Sequence, residues 1–225
     1  MSIKQIDLQK KQTLREQIAD TIRDAIIKGI LKPDERVAEA EMANKFNISR
    51  TPIREAMRQL ESEGFIKVTP HRGAFVAPIT EKDIREFYAI KSILEGYAAR
   101  LACNRISEED IRKMDDLNNK FEIVHKNGEW RAAFKLHNEF HERFLKNCGN
   151  DKLYQLLKSL TQQFQRFRIA LTMSGKIEGS ITQHKEIVEA FRKRDQNRVE
   201  ELVKQNATYG SEVLITEILK NVKNI

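Results

Sequence analysis

His137 and His141 stand four residues apart in LHNEFHERFL, a spacing that puts both imidazoles on one face of a helix. That face also carries Phe134, Phe140, Phe144 and Leu145, so the two rings are directed inward. His184 repeats the pattern in SITQHKEIVEAF, between Ile181 and Ile187-Val188, and Asn206 follows Leu202 and Val203 in the same way. A buried polar group without a partner costs roughly 1–3 kcal/mol, so four of them facing one interior require something that satisfies them. Three imidazoles form a nitrogen-rich site suited to zinc or nickel. Ligation needs neutral rings, so such binding is expected to weaken as pH falls through about 6.5 or somewhat below. The competing reading is that the four groups hydrogen-bond to one another and to trapped water. His71 and His125 fall at a turn tip and a helix end and read as surface groups.

Three histidines around a zinc with an open position also describe hydrolytic enzymes. That chemistry needs a base, and none is evident beside the rings, because Glu139 and Glu142 lie off the apolar stripe. No catalytic residue is therefore assigned. Arg166 and Arg168, on the next helical segment, could meet the carboxylate of a small acid, although at least one of them is expected to be solvated.

A second constellation is cationic. Arg50, Arg54 and Arg58 recur at four-residue spacing and form a ridge opposite the apolar stripe Ile53, Ala56, Met57 and Leu60. Ser49 is placed to cap this helix, Thr51 joins Arg50 in its first turn, and Pro52 is tolerated there. Gly64 stops the helix, and Phe65–Val68 and Ala74–Val76 read as strands flanking Pro70-His71-Arg72-Gly73. A duplex groove suits such a ridge. The candidate DNA contacts are Ser49, Arg50, Thr51, Arg54 and Arg58 from the helix, with His71, Arg72 and the backbone at Gly73 from the hairpin tip. Net charge of +7 favours a polyanionic partner without locating it. Residues 1–78 hold 14 Lys+Arg against 11 Asp+Glu, and the remainder 26 against 22, so local arrangement carries the argument.

The elements that must position these groups follow from periodicity. Ile18, Ile22, Ala25 and Ile26 mark a first helix ended by Gly29 and Pro33, and Val37, Met42, Ala43 and Phe46 a shorter second one. Asn47 supplies a left-handed turn before Ser49. Helix, turn, helix and basic hairpin make a winged helix-turn-helix over residues 1–78. Ala77-Pro78-Ile79 marks the boundary, and Thr80 through Asp83 opens a new helix with a capping pattern. The fold class is mainly α, with residues 79–225 forming an antiparallel all-α bundle of about six helices. Its fourth helix is expected to run unbroken from Leu153 past Phe167, with Leu156 on its inner face. Cys103 and Cys148 lack metal-binding spacing and read as buried thiols. No apolar run of membrane-spanning length and no signal-peptide core occur, so a cytoplasmic location is expected.

ISRTPIREAMRQLESEGFI followed by PHRGAFV resembles the DNA-binding domain of GntR-type bacterial transcription regulators. LHNEFHERFLKNCGN, ITQHKEIVEAFRKRD and RVEELVKQNA resemble the helical effector domain of the FadR subfamily, the FCD domain. The resemblance implies a homodimer that binds double-stranded operator DNA and releases it when the bundle, residues 79–225, takes a small-molecule effector such as a carboxylate. Pairing two recognition helices also doubles the few base pairs that one can read. In metal-binding members of the subfamily the ligands are Asp, His, His and His, at positions matching His137, His141, His184 and Asn206. Here histidine replaces the aspartate and asparagine the last histidine. Two uses stay open: a metal held by three histidines, with Asn206, Arg166 and Arg168 toward the effector, or an organic ligand bound directly. Ala40 stands where other members place a DNA-reading arginine.

Overall fold

Thr13 opens the first helix through a reciprocal capping box: its hydroxyl accepts the Glu16 N–H at 3.3 Å, and the Glu16 carboxylate accepts the Thr13 N–H at 2.8 Å. The computed structural model describes residues 12–223, which divide into two compact units between Pro78 and Ile79. In the first unit, α1 (Leu14–Ile27) packs on α3 (Arg50–Ser62), burying Ile18, Ala19 and Ile22 against Ile53, Ala56 and Leu60. Between them, α2 (Glu39–Phe46) ends at Asn47 in the left-handed conformation, φ 52°. Ser49 caps α3 by its extended backbone alone, since its side chain makes no capping hydrogen bond. The wing pairs β1 (Ile66–Thr69) antiparallel with β2 (Gly73–Val76), Ile66 opposite Val76. Residues before α2 extend that sheet through the Val37 N–H to Ala74 O at 2.9 Å and the Val76 N–H to Glu35 O at 2.8 Å.

The described residues of the second unit form helices joined by short turns, with no strand: α4 (Glu81–Ala102), α5 (Glu108–Lys126), α6 (Trp130–Lys146), α7 (Asp151–Gln163), α8 (Gln165–Met173), α9 (Glu178–Arg192) and α10 (Gln196–Lys223). Thr80 and Ser107 cap α4 and α5 by accepting the N–H groups of Asp83 and Asp110. Close approach of α4 and α10 depends on Gly96, where an added Cβ would stand 2.8 Å from Lys204 Cγ. The helix expected to run from Leu153 past Phe167 is two helices. It breaks at Phe164, whose ring stacks on Phe87 at 4.8 Å, and the rotation turns Phe167, Arg168 and Leu171 inward. Leu156 is correspondingly exposed rather than internal. Two apolar clusters result, one around Phe144, Leu157, Phe191 and Val203, the other around Phe87, Phe121, Phe167 and Leu214. No described helix is long and apolar enough to cross a membrane.

Candidate effector chamber and nucleic-acid interface

Polar side chains from α4, α5, α6, α8, α9 and α10 meet in the second unit. His137 and His141 project from successive turns of α6 with ring centroids 4.7 Å apart, and His184 of α9 lies 5.1 and 5.3 Å from them. One nitrogen from each ring falls within 4.8 Å of the others. His184 is fully buried and stacks on Phe140 at 3.9 Å and 8°. Its Nδ1 lies 3.0 Å from Asn118 Oδ1, while the Asn118 amide nitrogen donates to Ile181 O at 3.0 Å. This makes Nδ1 the protonated nitrogen and leaves Nε2 a lone pair, buried without a partner. Neither nitrogen of His141 has a hydrogen-bond partner, and its Nδ1 faces Glu95 Oε2 at 3.6 Å.

Burial, reinforced by neighbouring imidazoles and by Lys91 and Arg168, holds His137 and His141 well below the ordinary histidine range. Burial, with Lys91, pushes His184 down to about 3. Burial thus favours the lower side of the pH range expected for the weakening of metal binding. Unsatisfied nitrogens, neutral rings and an oriented tautomer fit a divalent ion held by His137, His141 and His184.

Around the imidazoles stand further polar groups, of which sequence reasoning gave Lys91 and Glu95 no role. Lys91 is 4% exposed and hydrogen-bonded to Glu95, which is 1% exposed, one turn later on α4. The expectation that no carboxylate accompanies the histidines fails on Glu95. Alternation on one helical stripe was the available signal: Lys91 and Glu95 share the α4 face of Phe87, Tyr88 and Ala98. Arg168 is 8% exposed and its Nε has no partner. It walls two cavities, one of about 20 Å³ shared with Lys91, His137 and Asn206, the other of about 200 Å³ shared with Glu95, Asn138 and His141. Asn206 donates to Ser180 Oγ at 3.1 Å and Gln183 Oε1 at 2.9 Å. Arg166 borders neither cavity; it lies over the Phe167 ring at 5.0 Å, and burial lowers it to about 10.

In the first unit Ser49, Arg50, Thr51, Arg54 and Arg58 are all exposed along α3. Arg50, Arg54 and Arg58 share a groove of about 510 Å³ with Gly73 and with Arg36, a cation the sequence reading missed. Arg36 lies beside β2 through the bridge to Phe75. Arg54 grips Glu39 of α2, with Nε 3.1 Å from both carboxylate oxygens and Nη2 2.9 Å from Oε2. His71 and Arg72 are exposed at the wing tip. Gly73 has φ 101°, a conformation side chains disfavour, and a Cβ there would point at Arg36 Nε, 3.5 Å away.

Residues 14–76 match the family described as bacterial regulatory proteins, gntR family, and residues 86–207 match the FCD domain. The chain is 29% identical over 200 residues to the HTH-type transcriptional regulator YdhC of Bacillus subtilis (strain 168), spanning 88% of this chain and 89% of that one. It is 26% identical over 206 residues to the HTH-type transcriptional repressor RspR of Escherichia coli (strain K12), spanning 91% and 90%. Among solved structures, E. coli McbR/YncC superposes with a TM-score of 0.72 at 18% identity, covering 92% of this chain and 100% of that one, a likeness of fold.

Proposed function

The chain belongs to the gntR family of bacterial regulatory proteins and carries an FCD domain, which makes it a transcriptional regulator and not an enzyme, and we propose that it is a homodimeric repressor of the FadR type. Residues 1–78 bind operator DNA in the cytoplasm, and residues 79–225 bind the effector and form the dimer. The observation that carries this reading is a buried chamber of unsatisfied polar groups, His141, His184 and Arg168, in the unit that lacks the arginine ridge. An organic acid satisfies them, with Arg168 and Asn206 toward the ligand. His137, His141 and His184 would hold zinc or nickel, which when bound supplies a positive centre for the acid's oxygens. Repression accords with the name of the relative RspR, and relief of it by the effector is part of the proposal.

Selection from a random duplex pool tests the DNA half of this reading. A homodimer enriches a palindromic sequence with half-sites about one helical turn apart or a multiple of it. Failure to enrich any sequence would overturn it. Elemental analysis of the purified full-length protein tests the metal, and absence of zinc and nickel after exposure to both leaves the direct organic ligand.

A further inference from the structure

Arg36 lies on the short extended segment that joins the wing sheet ahead of α2. It bridges Phe75 of β2, while its neighbours hold the same strand through Val37 N–H to Ala74 O and Val76 N–H to Glu35 O. Strand alternation buries Val37, at 1% exposure, and turns Arg36 outward. Gly73 is the diagonal neighbour of Arg36 on β2, two residues before Phe75. The guanidinium lies over it, since a Cβ on Gly73 would stand 3.5 Å from Nε and 3.7 Å from Nη2. This cation is therefore carried by a paired backbone at the base of the wing tip.

Its charge is uncommitted. The groove it borders holds the cations Arg36, Arg50, Arg54 and Arg58 and the carboxylates Glu39 and Glu61. Arg54 takes Glu39, and Lys67, opposite Phe75 on β1, is taken by Asp34 at 2.7 Å. Arg36 has no hydrogen bond or ion pair among the described residues. The groove runs between the arginine ridge of α3 on one side and Gly73 and Ala74 of the wing on the other. With α3 in a major groove and the wing along the neighbouring minor groove, one sugar-phosphate strand separates the two and passes between α3 and the wing. A cation in that cleft faces phosphate, while base edges face the helix. Resting on the operator-binding reading, we infer that Arg36 is a phosphate contact that seats this strand between α3 and the wing. It fixes the register of both elements on the duplex and carries no sequence information itself.

The experiment measures binding of the full-length protein to the selected operator and to a random-sequence duplex across a range of salt. It is repeated on operators in which single phosphates are replaced by neutral methylphosphonates. Arg36→Ala should weaken both duplexes by about the same factor and reduce the salt slope by about one unit per bound subunit. In the wild type, a methylphosphonate on the strand between the major-groove half-site and the adjacent minor groove should weaken binding. The same replacement should cost Arg36→Ala nothing further, because the contact is already gone. Arg36→Lys keeps the charge and should keep the slope; Arg36→Gln replaces the alanine variant if that one fails to fold. Unchanged affinity and slope in Arg36→Ala would make the side chain merely solvated and overturn the contact. A loss confined to the operator, with preference relaxed at one base pair, would make Arg36 a base reader and overturn the phosphate seat. Arg36→Lys losing as much slope as Arg36→Ala, or methylphosphonate penalties that persist in full in Arg36→Ala, would overturn it too. If the wild type binds no duplex, the operator-binding reading itself falls, and the seat with it.

Discussion

Asn118 Oδ1 lies 3.0 Å from His184 Nδ1 in a fully buried pair that links α5 to α9. Ile181 O fixes the other end of the same amide, so the Asn118 side chain dictates which nitrogen of His184 is left free. Outer partners of this kind typically govern metal affinity by about 10–100-fold. Asn118→Leu should therefore weaken zinc or nickel binding by about that factor in chelator competition, and lower stability by about 1–3 kcal/mol in denaturant. Asn118→Asp keeps an acceptor and should retain the metal. Equal metal affinity in all three proteins would show that Asn118 does not set the tautomer.

The Glu39 and Arg54 pair gives the second prediction. Glu39 grips the guanidinium from α2, and its hydrogen bond and charge raise the Arg54 pKa, so the fork is held in one orientation on the groove face. Arg54→Ala should cost about tenfold or more in affinity for the selected operator and relax preference at one base pair. Glu39→Gln leaves the cation but loosens it. It should relax the same base pair while tightening binding to random DNA, since a negative charge leaves the surface. Competition assays with single-base operator variants decide, and unchanged preference in Glu39→Gln would detach it from recognition.

Arg72 at the wing tip is exposed and should contact phosphate rather than bases. Arg72→Ala is expected to weaken operator and random DNA about equally and to reduce the salt slope by about one unit. A loss confined to the operator would instead make Arg72 a base-reading residue.

Why some of this was legible and some was not has physical causes. Four-residue spacing on an apolar stripe located His137 and His141, because helical geometry fixes where such side chains point. The same rule puts Lys91 and Glu95 on one α4 stripe, but only the packed bundle shows that both are buried and paired. Asn118 falls between Met114 and Phe121 at helical spacing, a signal as strong as that of Asn206, and it was passed over because one asparagine among apolar residues suggests no chemistry. The break at Phe164 has no glycine or proline to announce it; aromatic packing on Phe87 and Phe167 imposes it. Glu39 and Arg54 lie 15 residues apart on different helices, so only the fold brings them together.

Histidine burial predicts the pH dependence of the chelator-treated protein. His184 is held at about 3 when folded, against about 6.5 for an unperturbed ring. Below 6.5 the unfolded chain binds protons that the folded ring refuses, so the contribution, fully present above 6.5, is lost as pH falls toward 3. His137 and His141 shift in the same direction through the same cause. Denaturation across that window should show stability falling with acid, and His184→Gln should flatten the slope. Metal binding should persist below pH 6.5 in the wild type, in contrast to a site of exposed histidines. Stability independent of pH between 6.5 and 4 would mean that the rings titrate alike in both states.

Asn206→His tests the composition of the chamber most directly. Asn206 is 4% exposed and borders the small cavity together with His137, Lys91 and Arg168. An imidazole there would add a fourth nitrogen beside a three-histidine set, replacing an amide that is a poor ligand for zinc or nickel. The substitution also removes the hydrogen bonds to Ser180 Oγ and Gln183 Oε1. The metal-free variant should accordingly be less stable than wild type by about 1–3 kcal/mol. Adding metal should reverse the order: at a hundredfold excess over Kd the stabilisation is about 2.7 kcal/mol, and the tighter site reaches that excess at lower metal concentration. Melts with graded zinc or nickel, with elemental analysis of the same samples, measure both effects. A variant that loses stability and gains no metal affinity would place residue 206 outside the reach of the ion and assign it to the organic ligand.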